Sequence, residues 1–172
     1  MITVQQAKEL CIEAHKDQWR KPKPLPNNEI YDLTDYPEFS AKGFFITPKG
    51  NMLTYNSILG WTTQEPYHIH PLAVADMMTT DEEKIVAYLH DVIEDTSINL
   101  IEYNLSKNIE ETLLFLAKAK HEAYIHYIEN ITKNKLAIKV KIADITHNLS
   151  DNPSEKQIKK YTQAMKILLA TI

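Results

Sequence analysis

Apolar residues recur at intervals of three and four along most of this chain, which places them on one face of an α-helix. Thr3 followed by Gln6, and Thr80 followed by Glu83, form the capping-box pattern that opens a helix. The predicted helices cover residues 4–17, 71–78, 81–95, 109–118, 122–130, 133–149 and 154–170. The pattern therefore predicts an all-α protein.

The segment between residues 22 and 66 breaks this helical pattern. It contains all three glycines of the chain and six of its eight prolines. Two short apolar runs, Phe44–Ile46 and Met52–Leu53, flank a Pro-Lys-Gly-Asn sequence, which predicts a β-hairpin. We therefore expect residues 1–172 to form a single helical domain with an irregular insertion at about 22–66 that carries a small β-hairpin.

Composition narrows the class of function. The chain has 172 residues, of which 44% are hydrophobic, enough for one core. Its formal charge of -4 disfavours a nucleic-acid partner, because such proteins usually present a net basic face. Cys11 is the only cysteine, so an intrachain disulfide is excluded and a reducing compartment, the cytoplasm, is expected. Neither an export signal nor an apolar run of roughly 20 residues is present, so no membrane association is expected.

The helix predicted over residues 81–95 carries a cluster of polar groups. Its apolar stripe, at positions i, i+4, i+7 and i+8, consists of Ile85, Leu89, Val92 and Ile93. Four groups able to bind metal or transfer protons are predicted off that stripe, in pairs one helical turn apart: His90 with Glu94, and Asp91 with Asp95. By themselves they are a weak signal, since an acidic helix face is usually only solvated.

The helix predicted over residues 133–149 repeats the arrangement. Asp144 lies beside its apolar stripe, on the same flank as Lys141 and Asn148. A carboxylate at such a position is as often a hydrogen-bond acceptor between helices, or the ion-pair partner of a nearby lysine, as a functional group. His70, set before a helix by Pro71, adds a second imidazole to the candidates.

Two imidazoles and two carboxylates from three helices would suit a borderline metal such as manganese, iron or zinc. The candidate ligands are His70, His90, Asp91 and Asp144. Such a metal would provide hydroxide near neutral pH and polarise a phosphoryl group. Glu94 and Asp95 lie outside this set and are candidates to orient water or to protonate a leaving oxygen.

Three segments, in this order along the chain, resemble motifs of the RelA/SpoT-type hydrolase domains of the HD superfamily and of the related small alarmone hydrolases. Residues 67–75, Tyr-His-Ile-His-Pro-Leu-Ala-Val-Ala, are similar to the YxxHPxxVA element. Residues 90–96, His-Asp-Val-Ile-Glu-Asp-Thr, match the HDxxEDT signature. Residues 140–149, Val-Lys-Ile-Ala-Asp-Ile-Thr-His-Asn-Leu, resemble VKLADxxHNL.

The resemblance implies an HD-domain helical bundle, a divalent metal that is typically manganese, and a small nucleotide as substrate. The implied reaction removes the 3'-pyrophosphate from ppGpp or pppGpp by hydrolysis and gives GDP or GTP and pyrophosphate. The metal ligands of the family correspond to His70, His90, Asp91 and Asp144, and its catalytic acidic pair to Glu94 and Asp95.

The family's substrate contacts also have counterparts in this chain. Asn148 matches a position that contacts the nucleotide, and Lys141 is the motif lysine, a candidate phosphate contact. Residues 14–21 resemble an AHxxQxRK stretch whose basic pair, Arg20 and Lys21 here, faces the substrate. His68 and His147 adjoin ligand positions in the sequence and are candidates for supporting roles.

The insertion is the main departure from the family, which has only a handful of residues in its place. More than forty residues separate the basic pair from the YxxHP element. A loop of this length is expected to form a lid, a surface for a protein partner, or a contact between copies of the chain. Its aromatic residues either pack a small core of their own or stack on a base: Tyr31, Tyr36, Phe44, Phe45 and Trp61.

Two other functions stay open on the sequence alone. An HD-type site could hydrolyse another nucleotide phosphoester, and a non-catalytic HD module could bind a nucleotide or a protein. The HDxxEDT match favours the alarmone, which the protein would hydrolyse either freely in the cell or as an antidote to an alarmone-producing enzyme. The full set of six metal-binding and acidic residues disfavours a non-catalytic role, because a helical scaffold alone does not need them.

Overall fold

The computed structural model describes residues 1–25, 44–56 and 60–172. These residues divide into two compact units: a helical unit, residues 1–14 with 70–172, and a sheet unit, residues 15–69. The helices of the described chain are α1 Val4–Ala14, α2 Ile69–Asp76, α3 Asp81–Leu89, α4 Val92–Asp95, α5 Lys107–Leu116, α6 Tyr124–Ile131, α7 Lys135–Ser150 and α8 Glu155–Leu169, with a 3-10 turn at Leu100–Tyr103 between α4 and α5. The predicted helical class is confirmed.

One predicted helix is interrupted. Residues 81–95 were expected to form a continuous helix, but α3 ends at Leu89 and α4 begins at Val92. The imidazole Nδ1 of His90 lies 2.7 Å from the carbonyl oxygen of Ala87. In a continuous helix that carbonyl would accept the N–H of Asp91, so the side chain of His90 competes with the helical hydrogen bond at this point.

The core of the helical unit forms where α3 packs against α1, α5 and α7, and where α8 packs against α6 and α7. Ile85, Leu89 and Val92 are buried, as the predicted stripe requires, and Ile93 is partly buried. Full burial of one such side chain stabilises the fold by about 1.5–3 kcal/mol. The largest fully buried aliphatic side chains of this unit are Leu89, Leu113, Ile128, Ile131, Ile138, Ile145 and Leu168.

The described residues of the sheet unit contain four short antiparallel strands, β1 Lys23–Pro24, β2 Phe44–Ile46, β3 Met52–Asn56 and β4 Gly60–Gln64, in the order β1-β4-β3-β2. β2 and β3 form the predicted hairpin, with Phe45 opposite Leu53. Gly50 in its turn has a φ of +84°, a conformation that favours glycine. The sequence did not predict β1 or β4.

The aromatic residues of the insertion are described only in part. Trp61 on β4 meets Tyr55 on β3 edge-on, with ring centroids 5.3 Å apart, so Trp61 contacts its own sheet. Tyr31 and Tyr36 lie outside the described residues, and stacking on a base stays a prediction. Within residues 1–25, 44–56 and 60–172, no helix is long and apolar enough to cross a membrane.

Both predicted capping boxes are formed, and the second also carries a charge pair. The Thr80 hydroxyl accepts the N–H of Glu83, whose carboxylate in turn accepts the N–H of Thr80. Lys139 Nζ lies 2.7 Å from Glu83 Oε1. The hydrogen bond from Lys139 lowers the pKa of Glu83 to about 2. The carboxylate is therefore ionised, and stabilised, throughout the neutral range.

We expect Glu83→Gln to lower the free energy of unfolding by about 0.5 kcal/mol at neutral pH, because glutamine keeps the capping oxygen but loses the charge pair. Because the pKa of Glu83 is lower in the folded protein than its ordinary value of 4.5, the ionised carboxylate stabilises the fold at pH values above 4.5. This contribution is lost as the pH falls towards about 2. The difference between variant and wild type should therefore shrink as the pH is lowered in urea titrations. Asp81→Asn, at an exposed position in the same helical turn, is the control. A pH-independent difference would contradict the assignment.

Candidate metal centre

The four predicted metal ligands come together within the helical unit. His70 lies in the first turn of α2, His90 and Asp91 lie between α3 and α4, and Asp144 lies on α7. The Nε2 atom of His70 is 3.0 Å from Asp144 Oδ1 and 3.7 Å from Asp91 Oδ2. The Nε2 atom of His90 is 3.2 Å from Asp91 Oδ1 and 4.0 Å from Asp144 Oδ1. Two imidazole nitrogens therefore face two carboxylates.

The burial of these groups bears on whether they fit a cation. His70, His90 and Asp144 are only 2%, 3% and 5% exposed. Buried polar atoms are normally hydrogen-bonded, yet His90 Nε2 is buried and, although Asp91 Oδ1 lies 3.2 Å away, it makes no hydrogen bond within the described chain. A neutral imidazole nitrogen beside two carboxylates is a suitable donor to a divalent metal. The arrangement thus fits a metal with mixed nitrogen and oxygen ligands.

The burial of His90 corrects one expectation. This residue was predicted off the apolar stripe of a continuous helix, and it is instead almost completely buried. The prediction considered only the helix that carries His90 and assumed that this flank of it faces solvent. His90 keeps helical backbone angles (φ -61°, ψ -34°), so its burial comes from neighbouring helices: the centre of the His70 ring of α2 lies 5.4 Å from the centre of its ring, and Asp144 of α7 lies 4.0 Å from its Nε2. Periodicity along one helix could not anticipate these neighbours.

Asp144 is held as an anion by its neighbours. Lys141 Nζ lies 2.6 Å from its Oδ2, and Asn148 donates its side-chain N–H to Oδ1 over 2.6 Å. Burial alone raises the pKa of Asp144, but the Lys141 cation and the hydrogen bond from His70 hold it well below its usual range. Burial by itself lowers the pKa of Lys141. The attraction of the Asp144 carboxylate acts in the opposite direction, and the net result is that the pKa of Lys141 is raised well above its ordinary value. The pair is therefore ionised.

The predicted catalytic pair occupies α4, directly after the ligands His90 and Asp91. Glu94 is exposed to solvent and accepts the backbone N–H of Lys118. Partial desolvation of its carboxyl raises the pKa of Glu94, and the charges of Asp91 and Lys141 also act on it. Asp95 is exposed at the end of the helix. Glu94 is thus oriented by a backbone contact and keeps its proton to a higher pH than an ordinary glutamate.

Contacts behind the candidate ligands include groups that the sequence pattern did not reveal. The carbonyl of Ala87 accepts from His90, and the backbone N–H of Lys118 positions Glu94. The Lys141 ammonium lies 5.2 Å from the centre of the Tyr127 ring. Backbone groups carry no sequence signal, and a tyrosine at helical spacing is indistinguishable from an ordinary core residue.

Two of the predicted substrate contacts, Arg20 and Lys21, belong to the sheet unit. The backbone N–H of Arg20 donates to the Glu65 carbonyl, and its guanidinium lies 6.0 Å from the centre of the Tyr67 ring. His68 belongs to the same unit, and its predicted supporting role stays untested. The substrate contacts of the basic pair likewise stay a prediction.

Comparison with known proteins adds support for the fold. No protein-family model matches the sequence. A solved structure of a metazoan ortholog of SpoT, described as hydrolysing ppGpp and acting in starvation responses, aligns with a TM-score of 0.61 at 19% identity. The alignment covers 98% of this chain and 84% of that chain. The architecture predicted from the sequence is thus confirmed: this chain has the helical fold of that protein, with a small β insertion.

Proposed function

We propose that this chain is a metal-dependent phosphohydrolase that removes the 3'-pyrophosphate from ppGpp or pppGpp and releases GDP or GTP with pyrophosphate. The observation that carries this proposal is the convergence of His70, His90, Asp91 and Asp144 in the helical unit. The similar fold of a ppGpp hydrolase supports the choice of substrate.

The proposed metal ligands are two imidazoles and two carboxylates, a donor set that suits manganese, iron or zinc. Manganese is the proposed ion because the three motifs resemble those of alarmone hydrolases, whose metal is typically manganese. A bound divalent cation would supply hydroxide near neutral pH and would withdraw charge from the phosphoryl oxygen. The low pKa of Asp144 supports this assignment, since a carboxylate must be deprotonated to bind a cation.

Glu94 is proposed to transfer a proton to the leaving 3'-oxygen. Its raised pKa favours the protonated form that this role requires, and the N–H of Lys118 fixes one carboxyl oxygen. Asp95, beside it, is proposed to orient the attacking water. The two residues thus divide the roles of acid and water-orienting base.

The proposed substrate contacts are Arg20, Lys21, Lys141 and Asn148. Lys141 and Asn148 already contact Asp144, so their first effect is to hold that carboxylate in place. We propose that each residue has a second role, in which Lys141 contacts a phosphate and Asn148 contacts the nucleotide. We further propose that the protein acts in the cytoplasm and that the insertion serves as a partner or oligomer surface.

We expect purified protein with Mn²⁺ to convert ppGpp into GDP and pyrophosphate, and EDTA to abolish the reaction. The products are separated by anion-exchange chromatography. GDP is the matched control substrate, because it lacks the 3'-pyrophosphate and should not be hydrolysed. Release of single phosphates would contradict the proposed bond, and no turnover with Mn²⁺ bound would redirect the search to other nucleotide phosphoesters. Nucleotide binding without metal would favour a non-catalytic module.

A further inference from the structure

The two ring nitrogens of His70 have different surroundings. Its Nε2 atom faces the carboxylates of Asp144 and Asp91. Its Nδ1 atom lies 2.7 Å from Nδ1 of His147, and the two ring centroids are 4.8 Å apart. His147 lies on α7, three residues after Asp144, so the same flank of one helix presents both residues. α7 therefore provides one candidate ligand, Asp144, and also a contact, from His147, to a second candidate ligand, His70.

A nitrogen-nitrogen distance of 2.7 Å requires one donor and one acceptor, because two N–H groups would repel and two lone pairs would leave the contact unsatisfied. A neutral imidazole that binds metal through Nε2 carries its proton on Nδ1. Without metal, the Nε2 N–H of His70 donates to Asp144, whereas a metal on Nε2 would take the place of that proton. With metal bound, His70 would donate from Nδ1, and His147 would accept at Nδ1 with its own proton on Nε2. The tautomers of the two rings are thus linked.

We infer that His147 is a positioning residue that fixes the tautomer and ring orientation of His70 for metal binding. This inference rests on the metal centre proposed above. Histidine ligands commonly donate their second N–H to such an outer group, and the loss of that group typically weakens metal binding about 10–100-fold.

His90 provides an internal comparison. Its Nδ1 lies 2.7 Å from the Ala87 carbonyl oxygen, an acceptor that no side-chain substitution removes. The partner of His70 is a half-buried side chain on α7 and can be replaced. A backbone carbonyl therefore orients His90, whereas a side chain orients His70. Only the contact to His70 can be tested by substitution.

The test compares the Mn²⁺ affinities of two His147 variants by isothermal titration calorimetry. His147→Leu removes the acceptor and should weaken Mn²⁺ binding about 10–100-fold. His147→Asn retains an acceptor oxygen near the position of Nδ1 and should keep most of the affinity. Thr146→Ala, at an exposed neighbouring position, is the control. Circular dichroism and thermal unfolding check that each variant keeps its helical fold.

Equal affinity of His147→Leu and wild type would overturn the positioning role, and an equal loss in both His147 variants would overturn the acceptor assignment. Failure of the wild type to bind Mn²⁺ would instead remove the proposed metal centre. A second measurement needs no variant: nitrogen-15 NMR of the Zn²⁺-loaded wild type should show a protonated Nδ1 on His70 and an unprotonated Nδ1 on His147. A proton on His147 Nδ1 would overturn the inference.

Discussion

Replacing Asp144 with asparagine is expected to abolish metal binding and to lower the rate of ppGpp hydrolysis about 1000-fold or more, since a metal supplies several kcal/mol of transition-state stabilisation. Asparagine has nearly the same shape but no charge. It would still contact His70 and Asn148, so the helices are expected to stay folded. Metal content by atomic emission spectroscopy and turnover by chromatography measure the two effects.

The loss of charge at Asp144 has a second consequence, because Lys141 lies 2.6 Å away and is only 14% exposed. A largely buried cation left without its partner destabilises the fold. The double variant Asp144→Asn with Lys141→Met removes both charges, so it should regain stability in urea titrations without regaining metal. Wild-type metal content and turnover in Asp144→Asn would refute the assignment of this residue as a ligand.

Glu94→Gln is expected to lower turnover about 100- to 10,000-fold, the range typical for a general acid, while Mn²⁺ binding stays close to that of wild type. Glutamine retains an oxygen that can accept the N–H of Lys118, so the position of the side chain is preserved. What it lacks is the proton that the raised pKa of Glu94 makes available. Turnover and calorimetric metal affinity together separate catalysis from binding.

A matched control for this variant is Glu110→Gln, an exposed position in the first turn of α5. It should change neither metal affinity nor turnover. If Glu94→Gln lost Mn²⁺ and activity together, Glu94 would belong to the metal site and not to the proton-transfer step. Unchanged turnover would exclude it from catalysis.

The helices could be predicted because each has a local signal. The capping boxes at Thr3 and Thr80 are formed, and the apolar spacing of the buried stripe on α7 matches the burial of Ile138 and Ile145. The hairpin of β2 and β3 could be predicted for the same reason, since a glycine turn lies between two apolar runs. β4 was missed because its pairing with β3 and β1 depends on partners elsewhere in the chain.

The same distinction between local signals and contacts to distant parts of the chain applies to the candidate site. By itself the sequence determined which residue types are present, their order, and the helical spacing that sets Asp144, Lys141 and Asn148 on one flank. Only the tertiary structure decided that His90 is buried near Asp144, that Lys118 contacts Glu94 through its backbone, and that His147 meets His70. These contacts join residues that are far apart in the sequence. Spacing along one helix fixes neighbours within that helix, whereas distances between helices depend on how their cores pack.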